Sequence, residues 1–244
     1  MVTTNPPALR FTPPAMSVSL ERITDFLATV PLFRSLDRAA VRTFAELTRE
    51  QRVGRAARVI TAGERTDALY IVRTGEVKLV LDGTANHDVI LDVLGVGEHF
   101  GELALIDGEP RQAHVIATQP SSLLVFRRGD FRRQAEQYPP VVWGLLLHVA
   151  RRLRHANRTI GSLVRVDVPG RVARTLLAHT LPDASGSLVR PLTHQTMAQM
   201  IGASRETVSR AMADFQAKGW IGVSRRAVTI LDRAALEARA RPRP

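Results

Sequence analysis

The chain has 244 residues, enough for one large or two modest domains with cores of their own. Hydrophobic residues make up 45% and cysteine is absent, which argues against extensive disorder and excludes disulfides, cysteine-ligated iron–sulfur clusters and cysteine zinc sites. The formal net charge is +11, and from Gly170 onward there are 12 Lys/Arg against 5 Asp/Glu, so a polyanionic partner is an early expectation.

Residues 1–18, with Pro6–Pro7 and Pro13–Pro14, lack the apolar core of a signal peptide and read as a disordered tail, with Met16 a second candidate start. No run of about 18 apolar residues follows, so no membrane span is expected, and a cysteine-free chain fits a cytoplasmic setting. Ile23, Phe26, Leu27 and Val30 share one face of a first helix, Pro31 interrupts it, and Val41, Phe44 and Leu47 mark a second. From about Val59 the period becomes two. Val77, Leu79 and Leu81 alternate with Lys78, Val80 and Asp82, and six glycines (63, 75, 83, 95, 97 and 101) sit at turn-like intervals. This pattern predicts a small β-sandwich or barrel over residues 59–128.

Pro139–Pro140 begins a long helix on which Val142, Leu146, Val149, Leu153, Ala156, Ile160 and Leu163 keep an a/d heptad. The helix either packs on its own domain or forms a seam with a second copy; the narrow, unbroken stripe favours the seam. Asp167-Val168-Pro169-Gly170 is expected to end it and act as a hinge. Beyond a helical stretch from Val172 to His179 and a loop from Leu181 to Pro191, Thr193 is a candidate N-cap, with Met197, Met200 and Ile201 inward. Gly202-Ala203 supplies a turn and Ser204 caps a second helix whose Val208, Ala211, Met212 and Phe215 face the core. Arg205, Glu206, Ser209 and Arg210 then share the outer face. An arginine fork matches the two acceptors of guanine, and a carboxylate can accept from the cytosine amino group. Trp220–Val223 and Ala227–Ile230 predict a hairpin around Ser224-Arg225-Arg226, a wing suited to phosphates.

Ser204-Arg205-Glu206-Thr207-Val208-Ser209-Arg210 resembles the recognition helix of the cyclic-AMP receptor protein/fumarate-nitrate regulator family, and the likeness runs over nearly the whole chain after the tail. The resemblance implies a homodimer, paired through residues 139–166, on double-stranded DNA bearing a pseudo-palindrome of TGTGA-type half-sites. Arg205, Glu206 and Arg210 would contact bases. Ser204, Thr207 and Ser209, with His194, Gln195, Arg225 and Arg226, would complete the DNA-facing set, and RNA polymerase is a candidate partner, with the Leu181–Pro191 loop as its surface.

Phe100-Gly101-Glu102-Leu103-Ala104-Leu105-Ile106-Asp107-Gly108-Glu109-Pro110-Arg111-Gln112-Ala113 is the second motif. A glycine before a short helix lets a ligand approach backbone N–H groups, Arg111 can contact a phosphate twice, and Glu102 can accept from a sugar hydroxyl. The string resembles the phosphate-binding cassette of cyclic-nucleotide-binding domains, and Gly63, Asp67, Tyr70 and Gly75 match the β-roll before it. By resemblance, the ligand set is Gly101, Glu102, Leu103, Arg111, Gln112 and Ala113 with Ala156 and Asn157 of the long helix, and the effector is cyclic AMP. Gln112 stands where the family usually has Ser, Thr or Ala; Ala156 and Asn157 stand where its best-known member has Thr and Ser. Another small ligand, or none, therefore stays open.

The resemblance implies an α+β fold: a cyclic-nucleotide-binding β-roll of jelly-roll type (19–138), a dimerisation helix (139–166) and a winged helix-turn-helix domain (167–244). Some family members hold haem, but His87 and His114 have no second ligand at a suitable spacing, so no cofactor or metal is expected. A cyclic-nucleotide module signalling through a protein partner is the competing reading. An enzyme is not expected, because no P-loop, metal cluster or nucleophile–base pair is evident.

Overall fold

The computed structural model describes residues 20–83, 88–180, 192–224 and 228–241. The proline-rich tail, His87, the Leu181–Pro191 loop, Arg225 and Arg226 lie outside the described residues. Helices α1 (Leu20–Thr29) and α2 (Arg38–Glu46) form as the periodicity predicts. Leu27, Val30, Val41 and Phe44 are buried, and Asp37 caps α2 by accepting the Ala40 N–H at 2.7 Å.

Among the described residues eight strands follow: β1 (Arg49–Val53), β2 (Arg58–Ile60), β3 (Ala68–Thr74), β4 (Val77–Leu81), β5 (Val89–Leu94), β6 (His99–Phe100), β7 (His114–Ala117) and β8 (Ser121–Arg127). They pair antiparallel in two four-stranded sheets, β1-β8-β3-β6 and β2-β7-β4-β5. The β region thus starts well before Val59. Strand β1 reads Arg-Glu-Gln-Arg-Val and lies at a sheet edge, where a polar strand is tolerated and a hydrophobicity count passes over it. In β4 the alternation holds at Val77 and Leu79. Val80 is buried as well (1% exposed) although it lies outside the core between the sheets, and Leu81 is exposed (37%); beside them β5 carries an extra residue, Leu91, where the register against β4 shifts.

Tyr70, Val72, Leu79, Leu94, Phe100 and Leu123 form the core between the sheets. A second core, centred on Phe33, Phe44, Phe126 and Phe131, joins β3 and β8 to α1, α2, α4 (Arg128–Gln137) and the start of α5 (Pro139–Arg165). With 27 residues, α5 is about 40 Å long. Its expected seam faces away from its own chain: Val142, Leu146, Leu153, Ile160 and Leu163 are 45–60% exposed. The side packed on its own sheets lies one residue earlier at each step, at Val141, Leu145, His148 and Arg152.

The expected hinge is shorter than the Asp167–Gly170 tetrapeptide. Asp167 is the N-cap of α6 (Val168–Ala178), accepting the Gly170 N–H at 3.0 Å, and Pro169 sits in that helix's first turn, so only Val166–Asp167 is extended. Beyond it, α7 (His194–Ile201), α8 (Arg205–Ala217), β9 (Ile221–Val223), β10 (Val228–Ile230) and α9 (Arg233–Arg239) enclose Leu176, Met197, Val208, Phe215 and Leu236. Arg171 fastens this unit to α5. Its Nη1 donates to the Val166 carbonyl at 2.8 Å and its Nε to the Ile201 carbonyl at 3.0 Å, while Arg239 reaches Asp167 at 2.7 Å. Helix α7 also runs alongside β5, the free edge of the second sheet.

Candidate effector cavity and nucleic-acid interface

A cavity of ≈ 90 Å³ opens where α3 (Glu102–Asp107) meets β4, β7 and α5, walled by Leu79, Phe100, Glu102, Arg111, Gln112 and Arg152 among others. Ligand pockets for drug-sized molecules run from roughly 300 Å³, and this cavity is smaller than that. Gly101 precedes α3 at φ 88°, and a Cβ there would lie 2.6 Å from Arg111 Nη1 and 2.8 Å from the Ala68 carbonyl. Only glycine serves, on conformational and on steric grounds.

Arg111 is 5% exposed. Its Nη1 donates to the Gly101 carbonyl at 2.8 Å, its Nη2 to the Ala68 carbonyl at 2.6 Å and its Nε to Thr66 Oγ1 at 2.9 Å. Burial lowers its pKa from the usual guanidinium range, partly offset by Tyr70 and Glu102. Three of its five N–H groups are thereby engaged and two remain for a ligand.

Glu102 is 1% exposed. Arg152 of α5 donates to its Oε1 at 2.8 Å, while Oε2 has no hydrogen-bond partner among the described residues. Behind the pair, His148 Nε2 stands 4.0 Å from the same Oε1, and the His148 ring lies 3.9 Å from that of His99. Burial, followed by the charge environment of His148 and Arg152, pushes His99 down to about 3. Burial also lowers His148, against a raising effect from Glu102. His114 faces away from the cavity: it accepts from the Ala62 N–H at 3.0 Å and pairs with Asp82 at 2.9 Å, which makes it a core histidine. Among the described residues, no group of three His, Cys, Asp or Glu is placed to hold a metal ion.

Gly101, Glu102, Leu103, Arg111, Gln112 and Ala113 all line this cavity; Ala156 and Asn157 do not, being exposed on α5 farther along. Position explains it. Ala156 sits on the a/d stripe and Asn157 flanks it, so both turn away from their own chain's sheets.

The expected recognition surface is assembled on α8. Ser204 accepts the Thr207 N–H at 3.2 Å and Thr193 caps α7 through the Thr196 N–H at 3.0 Å. Gly202 makes the turn between them at φ 61°. Val208, Ala211, Met212 and Phe215 are buried, which leaves Arg205, Glu206 and Arg210 exposed. Arg210 Nη2 donates to Thr207 Oγ1 at 3.3 Å, and His194 Nδ1 pairs with Ser209 Oγ at 2.8 Å, tying the two helices together; Gln195 is exposed beside them. β9 and β10 form the expected hairpin.

Residues 170–239 match the family model described as a Crp-like helix-turn-helix domain, and residues 50–138 match that of the cyclic nucleotide-binding domain. The chain is 33% identical over 222 residues, 89% of its length and 99% of the relative's, to the CRP-like cAMP-activated global transcriptional regulator of Mycobacterium tuberculosis. The chain belongs to the Crp/Fnr family. Over 175 residues it is also 33% identical to the cyclic AMP receptor protein of Thermus thermophilus, covering 72% of this chain and 80% of that one. Among solved structures, the c-di-GMP responsive global regulator CLP of Xanthomonas campestris has the same fold, with a TM-score of 0.72 at 22% identity over 80% of this chain and 99% of that one. The catabolite activator protein of Thermus thermophilus superposes with a TM-score of 0.52 at 29% identity over 86% and 98%.

As a Crp/Fnr regulator the chain is a transcription regulator and not an enzyme, with a helix-turn-helix for DNA and a domain for a cyclic nucleotide. No helix among the described residues is long and apolar enough to cross a membrane. In this Crp/Fnr chain the sequence reading missed Arg152, His148 and His99, the groups around Glu102. A trace of two of them was present. The steps Val141, Leu145, His148 and Arg152 repeat the seam's spacing one residue ahead, so they form a second face of α5 directed at the sheets.

Proposed function

We infer that this chain is a homodimeric, effector-gated transcription factor that reads a TGTGA-type pseudo-palindrome and responds to cyclic AMP. One observation carries the reading: α5 connects both sites. At the middle of the helix Arg152 walls the cavity and holds Glu102; at its C-terminal end the Leu163 and Val166 carbonyls accept from Arg171, which also grips α7 at Ile201. A ligand that shifts Arg152 therefore acts on the rod that carries the recognition helix.

In this reading Glu102 accepts a ribose hydroxyl through Oε2, and the two remaining N–H groups of Arg111, the Gln112 amide and the backbone at Gly101, Leu103 and Ala113 hold the cyclic phosphate. Asn157 faces the second copy and can pair bidentately with an adenine edge, which Ala156 cannot do. The exposed α5 stripe makes the dimer. Arg205 and Arg210 donate to guanine and Glu206 accepts from cytosine. Ser204, Thr207, Ser209, His194 and Gln195, with Arg225 and Arg226 of the wing, contact the backbone and fix register. The relatives' names, which call them cAMP-activated, support the choice of effector.

Competition between a TGTGA palindrome and random DNA of equal length, at fixed salt and with or without cyclic AMP, tests the whole reading. Preferential binding to the palindrome that strengthens with cyclic AMP is expected. Equal affinity for both DNAs removes specific readout, because the phosphate contribution is blind to sequence. Unchanged preference with cyclic AMP removes the effector assignment alone.

A further inference from the structure

The two imidazoles behind the cavity have no part in the reading above, and they are chemically unfinished. Three buried polar atoms lack a hydrogen-bond partner among the described residues: His99 Nε2, Glu102 Oε2 and His148 Nε2. Glu102 lines the cavity. The imidazoles lie one layer back, His148 on α5 and His99 on β6, their rings 3.9 Å apart and tilted by 36°. His148 Nε2 is 4.0 Å from Glu102 Oε1, about 1 Å beyond hydrogen-bond distance, and Arg152 occupies that oxygen at 2.8 Å.

From this geometry we propose that His148 is a proton switch of the effector site, taking up one proton when an anionic effector draws Arg152 away from Glu102. The inference rests on the effector reading of this cavity. The groups that face His148 are Glu102 from α3, Asp92 from β5, His99 from β6, and Arg151 and Arg152 from its own helix. Without effector, Arg152 neutralises Glu102, and a charged His148 would sit buried beside that guanidinium; both disfavour its protonation. An anion in the cavity attracts Arg152, which already walls it and already stretches toward Asp92 at 3.9 Å. Glu102 then loses compensation, and a protonated His148 supplies it by closing the last ångström. The proton comes from solvent and passes to Nε2, so no other bond changes.

His148 is lowered by burial in the free protein, and effector binding raises it from there. A group that binds its proton more tightly in the complex makes affinity rise as pH falls. The gain is at most tenfold per pH unit for one proton. The rise begins as pH falls through the effector-bound pKa and levels off below the lower free-state one.

Titration calorimetry of the full chain with cyclic AMP at pH 6, in two buffers of different ionisation enthalpy, counts the protons directly. Net proton uptake, at most one per chain, is expected, falling to none in His148→Gln while binding persists. Binding without proton uptake overturns the switch and leaves the effector reading intact, and uptake undiminished in His148→Gln overturns the assignment to His148. Failure of both cyclic AMP and cyclic GMP to bind between pH 5.5 and 8 overturns the effector reading and the switch with it. If His148→Gln does not fold, histidine-resolved NMR of the unaltered chain decides: the His148 midpoint must move up when cyclic AMP is added, and a stationary or falling midpoint refutes the proposal.

Discussion

Arg152→Met removes a guanidinium from a carboxylate that has almost no access to water. Glu102 is 1% exposed, its Oε1 takes the Arg152 hydrogen bond at 2.8 Å, and its Oε2 is already unpartnered. Breaking a buried pair by removing one partner costs about 3–5 kcal/mol. Arg152 is itself 25% exposed, so water screens part of the pair, and a loss of about 2–3 kcal/mol is the better expectation. For a protein of this size that corresponds to a Tm lower by roughly 4–12 °C. Glu102→Gln should cost less, about 1 kcal/mol, because a quarter-exposed guanidinium can turn to solvent. The double variant should then lie well above the sum, with a coupling of about 2 kcal/mol in a denaturation cycle without effector. A coupling below about 0.5 kcal/mol would show that Arg152 does not hold Glu102 electrostatically.

Leu153→Asp places a charge on the exposed α5 stripe, which no core among the described residues covers. It should convert a dimer to monomers in sedimentation while leaving the monomer's fold and circular dichroism unchanged; a dimer that survives relocates the interface. Phe215, fully buried in the C-terminal core, should cost about 3–5 kcal/mol as Phe215→Ala, read by chemical denaturation. His99 is held down to about 3 in the folded chain, so the unfolded state binds its proton first as pH falls. Stability is therefore lost between about pH 6.5 and 3, at up to about 1.4 kcal/mol per pH unit. His99→Phe, which keeps a ring against His148, should flatten that acid limb; an unchanged limb would place the loss on other groups.

Much of the reader was legible in the sequence because its determinants are local. A cap, a glycine turn and a 3.6-residue stripe place Ser204, Gly202 and Phe215 without reference to anything distant, and the structure puts each where the spacing implies. The β region was legible as a class and less so in detail. Strand β1 is polar because an edge permits it, and Val80 is buried although it lies outside the inter-sheet core that holds Val77 and Leu79, a burial that alternation alone does not predict. The tetrapeptide expected as a hinge became mostly the first turn of α6, since Pro169 suits the start of one helix as well as the end of another.

For the effector site, the sequence by itself determined the motif: Gly101 for its backbone, Glu102 and Arg111 for their charges. Tertiary structure decided what those charges meet. Arg111 is spent largely on the Gly101 and Ala68 carbonyls and Thr66, and Glu102 is held by Arg152 with His148 and His99 behind it. Those partners come from strands and a helix far apart in the chain, brought together only when α5 packs its Val141–Arg152 face on the sheets. A motif records which side chains a site requires, whereas the charge state of a buried group depends on every neighbour within a few ångströms, and only packing assigns those.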